Sequence, residues 1–157
     1  MSTSESLRQI FNRCALGIDE DDFELFGSCF DENASFSTAS QPCIEGREAI
    51  CDYFRARRQA RRERGEQSRH LITNVVVLDE TEASALAVAY VTGLVAAVDH
   101  TVSFHFGWYR DRFVYDDGRG WLIAEHFIHA DGSDAPAEIA PGGFQFVGLK
   151  FPGRGAS

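Results

Sequence analysis

Two kinds of hydrophobic periodicity divide this chain. Apart from one short strand at 33–40, residues 4–62 repeat apolar side chains at helical spacing, whereas residues 70–131 alternate β-branched and aromatic side chains with polar ones. A chain that provides its helices first and a series of strands afterwards has few βαβ units, so most strands pair antiparallel. The order predicts an α+β fold, with three N-terminal helices packed on one face of a curved antiparallel or mixed sheet.

The helical half contains three amphipathic segments. "SESLRQIFNRCALGID" spaces its apolar residues three and four apart, with Ser4 as the expected N-cap. "DEDDFELFGSCFDE" places a phenylalanine stripe that ends at Phe30 on one helix face, with Asp21 or Asp22 as its cap. "REAICDYFRARRQARR" follows the turn "QPCIEG" and forms the third helix.

The second half predicts long strands. "HLITNVVVLDE" and "ASALAVAYVTGLVAAV" are the first two, and the sequence from Thr101 to Asp131 forms a hairpin that turns at "DDGRG". Helices packed on such a sheet enclose a cone, and the mouth of a cone is a natural ligand site.

Composition excludes several functional classes. A net charge of −9 argues against nucleic-acid binding, which needs a positive face. The arginine-rich stretch 55–69 is interpreted as a solvated helix face rather than an anion-binding patch. Four cysteines without a CxxC pair indicate free thiols in a cytoplasmic protein. We expect no metal, no cofactor and no membrane contact, because the corresponding motifs, a secretory signal and a long apolar run are missing.

The length of 157 residues fits a single domain. Pro and Gly concentrate after residue 131, so we place the domain at 1–131 and a tail at 132–157. The tail carries large apolar residues in a segment too rich in Gly to form a core. We expect it to pack over the cavity mouth or on a neighbouring subunit of a homo-oligomer.

Three positions carry polar side chains where apolar ones are expected. Asp19 ends the apolar stripe of the first helix, and His70 begins a strand on the face that it shares with Ile72 and Val76. Each alone is more readily explained as a structural residue than as a catalytic group, Asp19 as an acid in a helix connection and His70 as a hydrogen-bonded core residue. In the hairpin, Asp111 alternates onto the face of a mostly aromatic and small-residue set: Ser103, His105, Gly107, Tyr109 and Phe113.

The last strand contributes two histidines. His126 and His129 differ by an odd number of positions, so they fall on opposite faces and at most one of them borders a given cavity.

Four stretches together resemble the SnoaL-like branch of the NTF2-like superfamily over roughly residues 5–131: "CALGIDEDDFELFGSCFDENASFS", "IEGREAICDYF", "RHLITNVVV" and "GWYRDRFVYDDGRGWLIAEH". The resemblance implies a cone-shaped α+β barrel. Within that branch the chain is most similar in function to scytalone dehydratase, bile acid 7α-dehydratase and hexachlorocyclohexane dehydrochlorinase. These enzymes carry an Asp at the end of the first helix and a His that opens a strand, and Asp19 and His70 match these positions.

The resemblance also suggests which residues contact a substrate. Cys14 stands where relatives often carry Tyr or Lys, which leaves the activation of a leaving group to another residue. Tyr90, His105, Tyr109 and His129 are the candidates, and Tyr109 and Asp111 match a family strand pattern.

The leading hypothesis is a cofactor-independent lyase or isomerase acting on a hydrophobic cyclic or polyketide-like molecule, with His70 as base and Asp19 as its partner. One alternative is a polyketide cyclase or an enzyme like ketosteroid isomerase, in which the carboxylate of Asp19 or Asp111 is the base. The other is a non-catalytic subunit that resembles the β subunit of ring-hydroxylating dioxygenases.

Overall fold

A computed structural model describes residues 1–133. Within this range the helices are α1 (Thr3–Asp19), α2 (Phe23–Ser28) and α3 (Arg47–Glu63). The strands are β1 (Phe30–Thr38), β2 (Gln41–Glu45), β3 (Gln67–Glu80), β4 (Ser84–Ala96), β5 (Val102–Asp116) and β6 (Gly120–Ser133). The predicted tail lies almost wholly outside the described residues. Among the described helices, none is both long and apolar enough to cross a membrane.

The strands form one mixed sheet in the order β2-β1-β6-β5-β4-β3. Only β1 and β6 run parallel among these neighbours, and the chain passes through β2, α3, β3, β4 and β5 before β6 returns beside β1. The α+β prediction is confirmed. The predicted hairpin is confirmed as well, since β5 ends at Asp116 opposite Gly120.

The helices pack on the concave face of the sheet. α1 lies against β3 and β6, and α3 lies against β1 and β2. Their interface is dominated by fully buried aromatic and aliphatic side chains, which remove apolar area from water: Leu7, Phe11, Phe26, Phe30, Phe36, Ile50, Phe113 and Ile123.

Three local predictions are wrong. Ser2 rather than Ser4 caps α1, because its hydroxyl accepts from the backbone N–H of Glu5. Phe30 does not continue a helix but opens β1, since α2 ends after two turns at Ser28. "QPCIE" is not a turn but the edge strand β2, where Pro42 is tolerated because an edge strand leaves backbone groups unpaired. Asp22 caps α2, as one of the two predicted alternatives.

A β-bulge changes the faces of β3. The register with β4 shifts between Thr73 and Val76, and Asn74 adopts a positive φ of 52°. One extra residue moves the side chains that follow it to the other face, up to the second register shift between Val77 and Asp79. Val76 is therefore 49% exposed, and the prediction that it shares the inner face with His70 is wrong.

Candidate functional site

The concave side of the sheet encloses a cavity of about 350 Å³ between α1, α3 and the inner face of β3–β6. That size is within the range typical of small-molecule sites. Its apolar wall includes Ile18, Phe26, Phe36, Phe54 and Val91, and its polar wall includes Cys14, Ser68, His70, His105, Tyr109 and His126.

Asp19 and His70 meet at one side of this cavity. The Nδ1 atom of His70 lies 2.7 Å from Oδ1 of Asp19, and the backbone N–H of His70 donates to Oδ2 at 2.7 Å. Both carboxylate oxygens are thus used by a single residue, which fixes the imidazole ring relative to its own backbone. Asp19 is 5% exposed, whereas the His70 side chain keeps 17% of its surface accessible and lines the cavity. Asp19 and His70 therefore form an oriented pair with one edge of the imidazole open to a ligand.

The environment favours the ionised form of Asp19. Burial acts to raise the pKa of its carboxyl, but the hydrogen bonds and charge of His70 and the charge of Arg69 outweigh burial and lower that pKa below its ordinary value. The hydroxyl of Ser68 also donates to Oδ1, at 3.3 Å. A carboxylate at Nδ1 holds the neutral imidazole with its hydrogen on Nδ1, which leaves Nε2 as an acceptor.

Arg58 stabilises the surroundings of this pair through hydrogen bonds. Its guanidinium is 3% exposed and donates to Oδ1 of Asp21 at 2.9 Å, to the hydroxyl of Ser68 at 2.8 Å and to the backbone carbonyl of Asp19 at 3.3 Å. The interpretation of the arginine-rich stretch as a solvated face is wrong at this position. α3 turns Arg58 toward the end of α1, where acidic and carbonyl oxygens satisfy it.

His105 stands beside His70. The two rings lie 5.8 Å apart, and His105 lines the cavity. The ring of His105 occupies the space beside Gly93 on β4, where a Cβ would overlap its Cε1 and Nε2 atoms. Glycine at this position is what allows the ring to lie flat against the strand.

Residues 1–126 match the family of SnoaL-like domains. The chain belongs to the SnoaL-like family. A search of curated protein sequences gave no match.

Solved structures share the fold of this SnoaL-like protein. A protein from Novosphingobium aromaticivorans, provisionally named a scytalone dehydratase, has a TM-score of 0.75 at 15% identity and covers 93% of each chain. An NTF2-like protein with a cystatin-like fold from the same organism has a TM-score of 0.71 at 18% identity, covering 80% of each chain. Aln2 from a Streptomyces species has a TM-score of 0.71 at 26% identity, covering 83% of this chain and 94% of Aln2. The predicted cone-shaped fold is confirmed.

Among the residues of the SnoaL-like domain that are predicted to contact a ligand, Cys14 and Tyr109 line the cavity. Burial raises the pKa of the Cys14 thiol well above its ordinary value, and burial likewise raises the pKa of the Tyr109 phenol. Both groups therefore stay neutral at physiological pH.

Tyr90 is not a cavity residue. It is 49% exposed and points to the outer face of β4, whereas its neighbour Val91 lines the cavity. Alternation along a strand puts the two on opposite faces.

His126 and His129 both border the cavity, but their rings lie on opposite faces of β6, as their spacing predicts. The ring of His129 stacks on the indole of Trp108 on the outer face, at 4.9 Å. Gly107 has no side chain to fill the inner face, and a Cβ at this position would overlap the backbone carbonyl of His129.

A second His–Asp pair was missed by sequence reasoning. Nδ1 of His126 lies 2.8 Å and 2.9 Å from the two carboxylate oxygens of Asp111. Asp111 is fully buried, His126 is 4% exposed, and His126 lines the same cavity as His70. An aspartate on an apolar strand face was the available signal, but its partner was not apparent.

Proposed function

We propose that this SnoaL-like protein is a lyase or isomerase that removes a proton from a hydrophobic, cyclic or polyketide-like small molecule, with His70 as the general base and Asp19 as its orienting partner. The observation that supports the proposal is the double hydrogen bond from His70 to both oxygens of a buried carboxylate.

The chemistry follows from the pair. Nε2 of His70, which has no hydrogen-bond partner among residues 1–133, accepts a proton from a carbon next to a carbonyl group. The ionised Asp19 stabilises the imidazolium that forms and keeps the ring in position. The imidazolium then returns the proton to another carbon in an isomerisation, or to a departing hydroxyl group in an elimination.

Exchange of carbon-bound hydrogen tests this proposal without knowledge of the product. We would incubate the protein in D₂O with 1-tetralone and 4-hydroxy-1-tetralone and follow deuterium incorporation and loss of water by NMR. His70→Gln should lower the exchange rate by roughly 10²- to 10⁴-fold, the usual contribution of a positioned base. The matched control is His100→Asn, an exposed histidine with a φ of 68°, which asparagine tolerates. Equal exchange in His70→Gln and the wild type would exclude His70 as the base.

The carboxylate-base alternative predicts a different pH profile. If Asp19 were the base itself, the exchange rate would rise in the acidic range where carboxyl groups ionise and would be level near neutral pH, where imidazoles ionise. The geometry favours the histidine, because both oxygens of Asp19 are already engaged by His70. The subunit alternative predicts that the protein purifies with a larger iron-containing chain, so a stable homo-oligomer would count against it.

A further inference from the structure

We propose that the second pair, Asp111 and His126, is a functional dyad with the opposite task to the first: His126 presents an Nε2–H donor to a carbonyl or enolate oxygen of the ligand while His70 acts as the base. This inference rests on the proposed function for the role of His70, but the protonation state of His126 stands on separate observations.

The pair is held rigidly at the inner end of the cavity. Asp111 accepts from Nδ1 of His126 through both oxygens, and the imidazole packs between aromatic rings of β1 and β5. Phe36 stacks on it at 5.7 Å, while Tyr109 and Phe30 contact it edge-on at 4.9 Å and 6.0 Å. These contacts leave Nε2, which has no partner among the described residues, as the polar atom that His126 contributes to the cavity.

Charge balance decides the protonation state. The Asp111 carboxylate accepts hydrogen bonds from the ring of His126 and from the backbone N–H of Phe127. Its other neighbours among the described side chains are neutral: Cys14 from α1, Tyr109 from β5, and phenylalanines from β1. An ionised Asp111 beside a neutral imidazole would be an uncompensated charge in an apolar region, which costs several kcal/mol. The pair therefore retains one additional proton.

Either location of that proton gives the same donor. If it lies on the imidazole, both ring nitrogens carry hydrogen. If it lies on the carboxyl of Asp111, the carboxyl donates to Nδ1 and the hydrogen of the neutral ring is on Nε2. Burial also raises the pKa of the Asp111 carboxyl above its ordinary value. His126 thus offers an N–H group to the ligand in both cases.

The first pair, Asp19 and His70, lies among charged side chains rather than neutral ones. Around it Arg58 and Arg62 pair with Asp21, and Arg69 pairs with Glu20. Arg58 and Arg69 also donate to the backbone carbonyl of Asp19, and the charge of Arg69 lowers the pKa of the Asp19 carboxyl. The lowered pKa of Asp19 keeps a carboxylate at Nδ1 of His70, which holds the hydrogen of the neutral ring on Nδ1 and leaves Nε2 as the acceptor. Two pairs with environments that push their proton affinities apart mark an acid and a base.

The separation of the two pairs indicates the ligand class. His70 on β3 and His105 on β5 lie at the same height in the sheet, because each is paired with Gly93 on β4. His126 is paired with Asp111, which lies six residues after His105 on β5. For one ligand to contact both histidines, a conjugated system must join the carbon that loses the proton to the oxygen that gains the charge, as in a fused multi-ring molecule with a conjugated carbonyl. His70 removes a proton from carbon, the electron pair of that C–H bond moves into the conjugated system, and the oxygen that gains the charge accepts the hydrogen bond of His126. No oxidant or reductant is needed.

The protonation states can be measured directly in the wild-type protein. With ¹⁵N-labelled histidine rings, long-range ¹H–¹⁵N correlation distinguishes protonated from bare ring nitrogens, and His126→Gln and His70→Gln assign the signals. We expect at pH 7 a protonated Nε2 in His126 and a bare Nε2 in His70. A bare Nε2 in His126 would overturn the proposal, even if His70 proves to be the base.

Binding of 2-naphthol tests the contact with a ligand oxygen. Asp111→Val combined with His126→Phe replaces the buried pair by apolar groups, which proteins often tolerate without loss of stability. We expect this variant to keep the wild-type melting temperature and to bind 2-naphthol at least about tenfold more weakly, the effect of losing one strong hydrogen bond. Unchanged affinity would refute the proposal.

His70→Gln separates the two ideas. It should lose deuterium exchange but bind 2-naphthol within about threefold of the wild type, because the naphthol oxygen contacts His126. If His70→Gln keeps its exchange activity while His126 shows a protonated Nε2, the assignment of His70 as the base is wrong. The assignment of His126 as the hydrogen-bond donor is then unaffected. If His70→Gln loses 2-naphthol affinity as strongly as the double variant, the assignment of the donor to His126 is wrong.

Discussion

The backbone N–H of His70 and its ring Nδ1 both bond to the carboxylate of Asp19, each at 2.7 Å. One residue thereby engages both oxygens of a carboxylate that stands at the end of α1. These two hydrogen bonds connect β3 to the end of α1 through the carboxylate of Asp19, which can be protonated. Stability and function should therefore respond together to changes at Asp19.

Asp19→Asn should make stability less dependent on pH. Because the folded-state pKa of Asp19 is lowered, its ionised form contributes stability above the unfolded-state pKa of about 3.9, and this contribution is lost as pH falls through the folded-state pKa. We expect the variant to lose roughly 1–3 kcal/mol of unfolding free energy at pH 7. Urea unfolding between pH 3 and 7 should show the difference shrinking below about pH 4. The exposed Asp79→Asn is the control, and a pH-independent difference would contradict the prediction.

Arg58→Met should be strongly destabilising. The substitution removes hydrogen bonds to Asp21, Ser68 and the carbonyl of Asp19, and it leaves buried oxygens without a donor. We expect a loss of about 3–5 kcal/mol in unfolding free energy. Arg62→Met is the matched control: Arg62 also pairs with Asp21, at 3.3 Å, but its side chain is 57% exposed. Such exposed pairs contribute about 0–1 kcal/mol. Similar losses in both variants would show that the burial of Arg58 is unimportant.

Gly93→Ala should displace His105. The new Cβ would overlap the imidazole, so the ring must rotate away from β4. We expect a lower melting temperature, equivalent to about 1–3 kcal/mol, and changed ring signals of both His105 and His70 in NMR spectra. Adding His105→Ala should restore most of the stability. Gly118→Ala serves as control, since its Cβ would meet nothing closer than 3.4 Å. If the second substitution fails to restore stability, the clash with His105 is not the cause.

The outer face of the sheet should mediate self-association. Four large apolar residues form an outer patch, with exposures between 37% and 49%: Leu71, Tyr90, Leu94 and Phe104. Contiguous exposed apolar surface of this kind marks interaction sites. We expect the wild type to elute as a homo-oligomer in size-exclusion chromatography with light scattering, and Tyr90→Glu with Leu94→Lys to elute as a monomer. Val98→Glu, on a 75% exposed residue outside the patch, should leave the assembly intact. A monomeric wild type would disprove the prediction.

Much of the site followed from the sequence. The order of helical and strand periodicity specified the α+β class, and the family resemblance brought Asp19 and His70 together from 51 positions apart. Both inferences depend on local pattern, which a linear chain carries directly.

Tertiary structure decided the second pair. Counting back from the turn at Asp116 and Gly120, a regular hairpin would set Asp111 opposite Glu125. The register shifts by one residue between Phe113 and Arg112, so His126 faces Asp111 instead. The energy of a bulge depends on twist and packing across the whole sheet rather than on the residues that form it.

The same is true of Arg58: α3 alone indicates a solvated arginine, and only the docking of α3 against the end of α1 buries it. The sequence by itself determined the order of the elements and the first pair. Bulges and helix docking decided which other side chains face the cavity, because a shift of one residue exchanges the two faces of a strand.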